Sequence, residues 1–366
     1  MRVPFLDLAA INGRIRDEID AAVAGVFDSG WFVRGPAVSA FETDWAGYVG
    51  AAGCAGVGTG LDALRLALTA LGIGPGDDVL VPSHTFIATW LAVSSVGAGI
   101  VPVEPDPATM LVDADRLLAA ATPETAAVVP VDLYGMSCDT GAIMSLAGEQ
   151  GWVVVEDAAQ AHGAELGGRR VGAGAHAVAW SFYPAKNLGA VGDGGAVTSD
   201  DRDLLERIRV LGNYGSRSKY VHDVAGINSR LDDIQAAVLR VRLAHLEADN
   251  ARRGEIAQAY LSGLATVEAV TLPPVIAGRR SAWHLFVIRH PRRDALAAGL
   301  RAVGVETLIH YPEPPHRSGA FRAGGWRAAE LPVAEELAST VLSLPIGPHL
   351  SDEQVSYVVD RVTELA

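Results

Sequence analysis

The sequence predicts an α/β fold in which a mainly parallel sheet lies between helices, with a smaller α+β domain toward the C-terminal end. Three observations predict it. Short apolar, β-branched runs recur without the alternation of a half-exposed sheet, as strands covered on both faces do. Helix-patterned segments lie between several of them, as the crossovers of parallel strands require. The texture then changes near residue 250, dividing a large domain over residues 1–249 from a small one over 250–366.

The strand candidates are "VLVP" (79–82), "GIVPVEP" (99–105), "AAVVPVDL" (126–133), "WVVVEDA" (152–158), "AVAWSF" (177–182) and "GAVTS" (195–199). In "LDALRLALTALG" Leu61, Leu64, Leu68 and Leu71 fall at helical spacing, and Gly72 with "GPGDD" ends that helix. From Val79 to Val103 there is no charged residue, but Pro82, Ser83, His84, Thr85 and Pro102 break the stretch into strand, helix and strand. Each piece is too short to cross a bilayer core of about 30 Å, so a buried βαβ unit is the better reading and no membrane partner is expected. Farther on, Leu231, Ile234, Val238 and Val241 form one helical stripe that continues toward residue 260. "SAWHLFVIRH" is a strand candidate and "HYPEPPHRSG" a proline-rich loop.

Composition narrows the function classes. The 366 residues are 49% hydrophobic and 20% charged, which describes a globular chain with a large core. A formal charge of -14 argues against a general nucleic-acid binder, which needs a basic face. An anionic ligand must be held by local donors and not by the overall field. Cys54 and Cys138 have no CxxC spacing, so neither a disulfide framework nor a four-cysteine metal site is expected; they read as small buried side chains. The opening "MRVPFLDLAAINGR" lacks the long apolar region of a signal peptide, and the expected compartment is the cytoplasm.

In open parallel sheets, ligands sit at the carboxyl ends of strands. Four features lie there or at a helix start. Gly58, Thr59 and Gly60 precede a helix, so unpaired N–H groups and the positive end of its dipole offer a phosphate cradle; an ordinary Thr N-cap explains them as well. "VVVEDAAQAHG" delivers Glu156 and Asp157, with Gln160 and His162 close behind, although a carboxylate there also serves metal sites, nucleotide sites or a helix cap. Ser181 ends a strand, and Lys186 follows in the glycine-rich "PAKNLGAVGDGG". That lysine reads as a phosphate clamp, a covalent nucleophile or a surface residue; with almost no charged company, a desolvated amine is the reading that gives nucleophilicity. Phe86, near the end of "VLVP", offers either a plate for a flat ring or one more core aromatic.

Together these four features suit one cofactor. Pyridoxal 5'-phosphate (PLP) needs an amine for its aldehyde, an acid for its ring nitrogen, a surface for its ring and donors for its phosphate. No metal is needed.

The stretches "GTGLDALRLAL", "VEDAAQAHGA", "SFYPAKNLGAVGDGGAV", "NYGS" and "GINSRLDDIQAAVLRVRL" resemble the PLP-dependent nucleotide-sugar aminotransferases of the DegT/DnrJ/EryC1/StrS family. The similarity runs from "PFLDL" at residues 4–8 to the last helix. It implies a fold-type I aminotransferase, a homodimer with active sites at the subunit interface. By matching motif, Lys186 is implied as the cofactor's covalent partner and Asp157 as the partner of its ring nitrogen. Gln160 is implied on the ring hydroxyl, Phe86 on the ring face, and Thr59, Gly60 and Ser181 on the phosphate. Asn228, in "GINSR", is implied to reach the phosphate from the other subunit, and His162 to lie near the site as a catalytic candidate.

The resemblance also implies a two-stage reaction. L-glutamate gives its amine to the cofactor, leaving pyridoxamine phosphate, which aminates a keto carbon of a nucleotide sugar while Lys186 moves the proton. Dehydratases of the family carry histidine in place of the lysine, so the lysine here favours transamination. "GLDALRLAL", "HTFIATWLAVS", "NYGSRSKY" and "IHYPEPPH" most resemble the branch that aminates C3 of dTDP-3-keto-6-deoxyhexoses for deoxyaminosugar and antibiotic biosynthesis. Tyr183, Lys219, Tyr220, His310 and Tyr311 are the candidates for the nucleotide-sugar side. The rival readings are a C4 aminotransferase of a related 4-keto sugar, a PLP-dependent lyase or desulfurase, and a non-catalytic sensor.

Overall fold

In the computed structural model, which describes residues 1–327 and 329–366, a seven-stranded sheet forms the middle of the large domain. Its strands run in the order Gly53–Val57, Gly195–Ser199, Ala177–Ser181, Val153–Asp157, Thr125–Val128, Asp78–Pro82 and Gly99–Val103. Only Gly195–Ser199 runs against its neighbours; the other pairings are parallel. The six apolar runs of the sequence are all strands, and Gly53–Val57 is a seventh whose glycine- and alanine-rich "GCAGV" carries no β-branched signal.

Successive residues of a strand point to opposite faces, and here both faces are dry. Val79 and Val81 enter one core, with Leu64 and Leu68 of helix Gly60–Ala70 and Leu204 and Ile208 of helix Arg202–Leu211. Leu80 enters the opposite core, with Phe41 and Trp45 of helix Pro36–Val49 and Ile143 of helix Thr140–Gln150. Covering on both sides is why the runs show no alternation. Each such Leu or Val withdrawn from water contributes about 1.5–3 kcal/mol, so the sheet and its strand ends are held firmly.

The small domain is built on an antiparallel pair, Phe286–Arg289 with Val341–Leu344, packed against helices Arg293–Ala302 and Asp352–Leu365. The 31-residue helix Asp233–Gly263 passes through position 249/250 without interruption. Its first half buries Ala236, Leu239 and Leu246 in the large core, and its second half buries Ile256, Ala257 and Tyr260 in the small one. The division expected at 249/250 therefore falls inside a helix shared by both cores. The chain start joins the small core too, through Val3 bridged to Val305.

Among the described residues, no helix is long and apolar enough to cross a membrane, and no His, Cys, Asp and Glu side chains cluster so as to hold a metal ion.

Candidate active site

The carboxyl ends of the parallel strands open onto a cavity of about 510 Å³. Thr59, Gly60, Phe86, Asp157, Gln160, Ser181, Tyr183, Lys186, His310 and Tyr311 all line it. Residues from position 59 to position 311 are thus brought into one chamber, closed on one side by the small domain.

Helix Gly60–Ala70 points its N-terminus at the cavity's end. Thr59 caps it, its hydroxyl oxygen accepting from Asp62 N at 3.0 Å, and the hydroxyl proton stays available to a ligand. The cap and the phosphate cradle are therefore one feature. A Cβ on Gly60 would stand 2.6 Å from Ser181 Cβ, and one on Gly195 would stand 2.3 Å from Thr59 O. Glycine at both positions lets the helix start press against the ends of the antiparallel pair, where Ser181 faces Gly195. Ser181 and the free N–H groups so face one spot suited to a phosphate.

Asp157 ends its strand buried, with Ala159 N donating to Oδ1 at 3.2 Å and Thr89 Oγ1 to Oδ2 at 3.0 Å. Because the Thr89 proton goes to the carboxylate, Thr85 must donate to Thr89 across their 3.0 Å contact. Burial raises the Asp157 pKa, while the two donors and the Lys186 charge oppose it. A carboxylate held this way favours a cationic partner in the cavity, as a protonated pyridine nitrogen would be.

Lys186 sits in a loop with little freedom. Phe182 N donates to Gly194 O at 2.8 Å, Ala190 N to Phe182 O at 2.7 Å, and Lys186 N to Tyr183 O at 2.8 Å. Asn187 Nδ2 pins the loop to Asn250 Oδ1 and to Ala282 O. The side chain reaches inward, and burial lowers its pKa from 10.5 to about 8, with Asp157 pulling the other way. Burial also holds His310 and His84 at about 4 and pushes His284 well below 6.5, so these imidazoles are neutral near pH 7. Lys186 is left as the amine that exchanges a proton nearest neutrality.

Phe86 exposes half its surface, and its ring centroid lies 5.4 Å from that of Tyr311. Gln160 accepts from Tyr134 N at 2.6 Å and donates to Tyr311 Oη at 3.0 Å. The donor set, the buried carboxylate, the aromatic plate and the desolvated amine fit pyridoxal phosphate.

Four candidates lie elsewhere. His162 is fully buried among Trp45, Trp180 and Phe182, at ring distances of 5.3–5.8 Å, and burial holds it neutral with a pKa of about 3. It supports the strand's far face and does not line the cavity. Asn228 is exposed on an irregular segment bridged to Asn213. Lys219 and Tyr220 are exposed on the short hairpin of Ser216–Ser218 and Val221–His222, with Lys219 Nζ 5.1 Å from the Tyr220 ring centre. Conversely, sequence reasoning missed Thr85 and His284, which line the cavity, and Thr89 and Tyr134, which stand behind it and support Asp157 and Gln160. Thr85 and Thr89 follow "VLVP" at helical spacing, a signal that was legible; Tyr134 and His284 carried none.

Residues 13–363 match the DegT/DnrJ/EryC1/StrS aminotransferase family. The chain is 55% identical to the erythromycin biosynthesis sensory transduction protein EryC1 of Saccharopolyspora erythraea, over 98% of each chain. It is 53% identical to the dTDP-3-amino-3,4,6-trideoxy-alpha-D-glucose transaminase of Streptomyces venezuelae, over 100% of this chain and 96% of the relative. The solved structure of S. venezuelae DesV in complex with a ketimine intermediate superposes with a TM-score of 0.97 at 53% identity, covering 99% of this chain and 98% of that one. Matched over residues 13–363, and more than half identical to these relatives along nearly its whole length, the chain belongs to the DegT/DnrJ/EryC1/StrS aminotransferase family.

Proposed function

We propose that the chain is a PLP-dependent sugar aminotransferase that moves the amino group of L-glutamate to C3 of a dTDP-3-keto-6-deoxyhexose. The observation that carries the reaction type is the meeting of a desolvated Lys186, a buried Asp157 and the Thr59–Gly60–Ser181 cradle in one cavity. The sugar and the carbon rest on the close relative whose name specifies a 3-amino dTDP sugar. No comparable support favours C4.

When bound, the cofactor supplies an aldehyde for amines and a ring that withdraws electrons from the adjoining carbon. The chain's residues do the rest. Thr59, Gly60 and Ser181 would anchor the phosphate, and Asp157 would keep the ring nitrogen protonated, as a carboxylate beside a cation does. Phe86 and Gln160 would fix the ring's tilt. Lys186 would hold the cofactor and then, as a free amine with a pKa near neutrality, carry the proton between carbon atoms.

The proposed active form is a homodimer with shared sites. Asn228, Lys219 and Tyr220 do not reach the cavity of their own subunit. Phe32, Val33 and Val191 are exposed beside the start of helix Asp233–Gly263, tied to it through Phe32 O with Asp233 N and Val191 N with Gln235 Oε1. Tyr214 and Val224 are exposed on the segments flanking the hairpin, Tyr214 N donating to Ile227 O next to Asn228. A second copy seated there would cover this apolar surface and bring Asn228, Lys219 and Tyr220 to the opposite cavity. The cytoplasm is the proposed compartment, in keeping with two buried, unpaired cysteines.

The test is product regiochemistry. With glutamate and either a dTDP-3-keto or a dTDP-4-keto sugar, NMR of the product should show nitrogen at C3. Amination of the 4-keto sugar alone would overturn the assignment.

A further inference from the structure

Tyr134 has an unusual backbone for a bulky side chain. Its φ is 61°, in the left-handed region, where such residues persist only when their surroundings dictate it. The surroundings are plain. Asp157 N donates to Pro130 O at 2.8 Å and Asp132 N to Asp157 O at 3.0 Å, which registers the segment on the strand carrying the site carboxylate. Gly135 follows at φ 102°, where a Cβ would stand 2.8 Å from Trp283 N.

This turn aims Tyr134 N–H at Gln160 Oε1, 2.6 Å away. Since Oε1 accepts there, the Gln160 amide has one orientation, and its Nε2 donates to Tyr311 Oη at 3.0 Å. Tyr311 therefore accepts from Gln160 and keeps its own hydroxyl proton for the cavity it lines.

The Tyr134 side chain runs the other way, and its hydroxyl donates to the His310 carbonyl oxygen. A carbonyl only accepts, so the phenol proton is committed, and the 2.8 Å contact with His84 must be a donation from His84 Nε2–H. The His84 ring is 1% exposed and its pKa is held at about 4 by burial, so it carries a single N–H at this pH. His310 is fastened in turn to the small domain through Nδ1 and Ser343 Oγ at 2.8 Å. The Tyr134 hydroxyl thus joins the residues just past strand Asp78–Pro82 to the small domain, while its backbone segment is registered on the carboxylate-bearing strand.

We propose that Tyr134 is a positioning residue that seats the His310–Tyr311 segment as the sugar-facing wall, with His84 behind it setting the direction of the hydrogen bonds, so that Tyr311 offers a proton to an acceptor oxygen of the bound sugar. This rests on the proposed use of the cavity for a keto sugar, and the test separates the two. Tyr134→Phe keeps the ring and the N–H to Gln160 but cuts both hydroxyl contacts.

In the cofactor-loaded enzyme, Tyr134→Phe should leave the cofactor spectrum and the glutamate half-reaction within about twofold, while kcat/KM for the sugar falls about tenfold through KM, as loss of the one hydrogen bond from a misplaced Tyr311 to the sugar implies. His84→Leu should reproduce the loss, and His84→Gln, which keeps an N–H donor, should recover most of it; this pair serves as well if Tyr134→Phe folds poorly. Without any sugar, hydrogen exchange over residues 308–312 should speed up in Tyr134→Phe and in His84→Leu. Equal loss in both half-reactions, an unchanged sugar KM, or unchanged exchange at 308–312 would each overturn the positioning role. A wild-type enzyme that aminates no dTDP-keto sugar, yet shows the faster exchange in the variants, would instead overturn the substrate and leave the positioning role standing.

Discussion

Replacing Lys186 by methionine in the cofactor-free protein should expose how much the fold spends to keep an amine in that cavity. Its pKa falls from 10.5 to about 8 because burial disfavours the ammonium. At about 1.4 kcal/mol for each tenfold change, that fall corresponds to about 3 kcal/mol of preference for the neutral amine. The folded pKa lies below the unfolded one, so between about pH 8 and 10.5 the unfolded chain binds more protons, and the stability of the lysine protein rises with pH there. Lys186→Met removes this dependence. The variant should be the more stable protein near neutral pH, and its advantage should shrink by about 2 kcal/mol between about pH 7.5 and 9.5. Urea unfolding of both proteins at one fixed subunit concentration, across that range, measures the difference while other titrations cancel. An advantage that stays constant or grows with pH would refute the burial argument.

Other outcomes follow from the same geometry. Gly60→Ala should weaken cofactor binding at least tenfold by equilibrium dialysis with little change in fold by circular dichroism, because its Cβ would stand 2.6 Å from Ser181 Cβ; unaltered affinity would remove this helix start from the phosphate site. Asp157→Asn keeps the shape but not the charge, and kcat should fall about a hundredfold or more in steady-state assays, as for other preorganised charges in dry sites. Lys186→Ala and Asn228→Ala homodimers should each be crippled, and mixing them should restore activity through hybrids holding one intact site; no recovery on mixing would mean that Asn228 does not serve the partner's cavity. His162→Phe should keep cofactor loading and turnover within about threefold, since the ring fills an aromatic core and lines no cavity.

The strands were legible because both sheet faces are covered: Val79, Leu80 and Val81 are all apolar, and no exposed face interrupts the run. The cofactor candidates were legible because each sits within a few residues of a strand end or a helix start, where local sequence states position. Asp157, Ser181 and Thr59 needed no tertiary knowledge to be placed at such an end. What stayed hidden depends on distant packing. Tyr134 acquires its role from contacts with residues 84, 160 and 310, which no local spacing encodes. His162 follows Gln160 by two residues, yet the chain turns through Gly163 at φ 86° and its ring goes to the core, not the cavity. Helix Asp233–Gly263 runs through position 249/250 and serves two cores, and a helix shared in this way shows no break in its own sequence.

The central claim is that Lys186 holds pyridoxal phosphate and passes glutamate's amine through it. The most direct measurement is the absorption spectrum of the purified protein with the cofactor, before and after glutamate. A visible band should be present, should bleach on adding glutamate, and should be absent from Lys186→Ala. A Lys186→Ala protein that keeps both the band and full turnover would contradict the account.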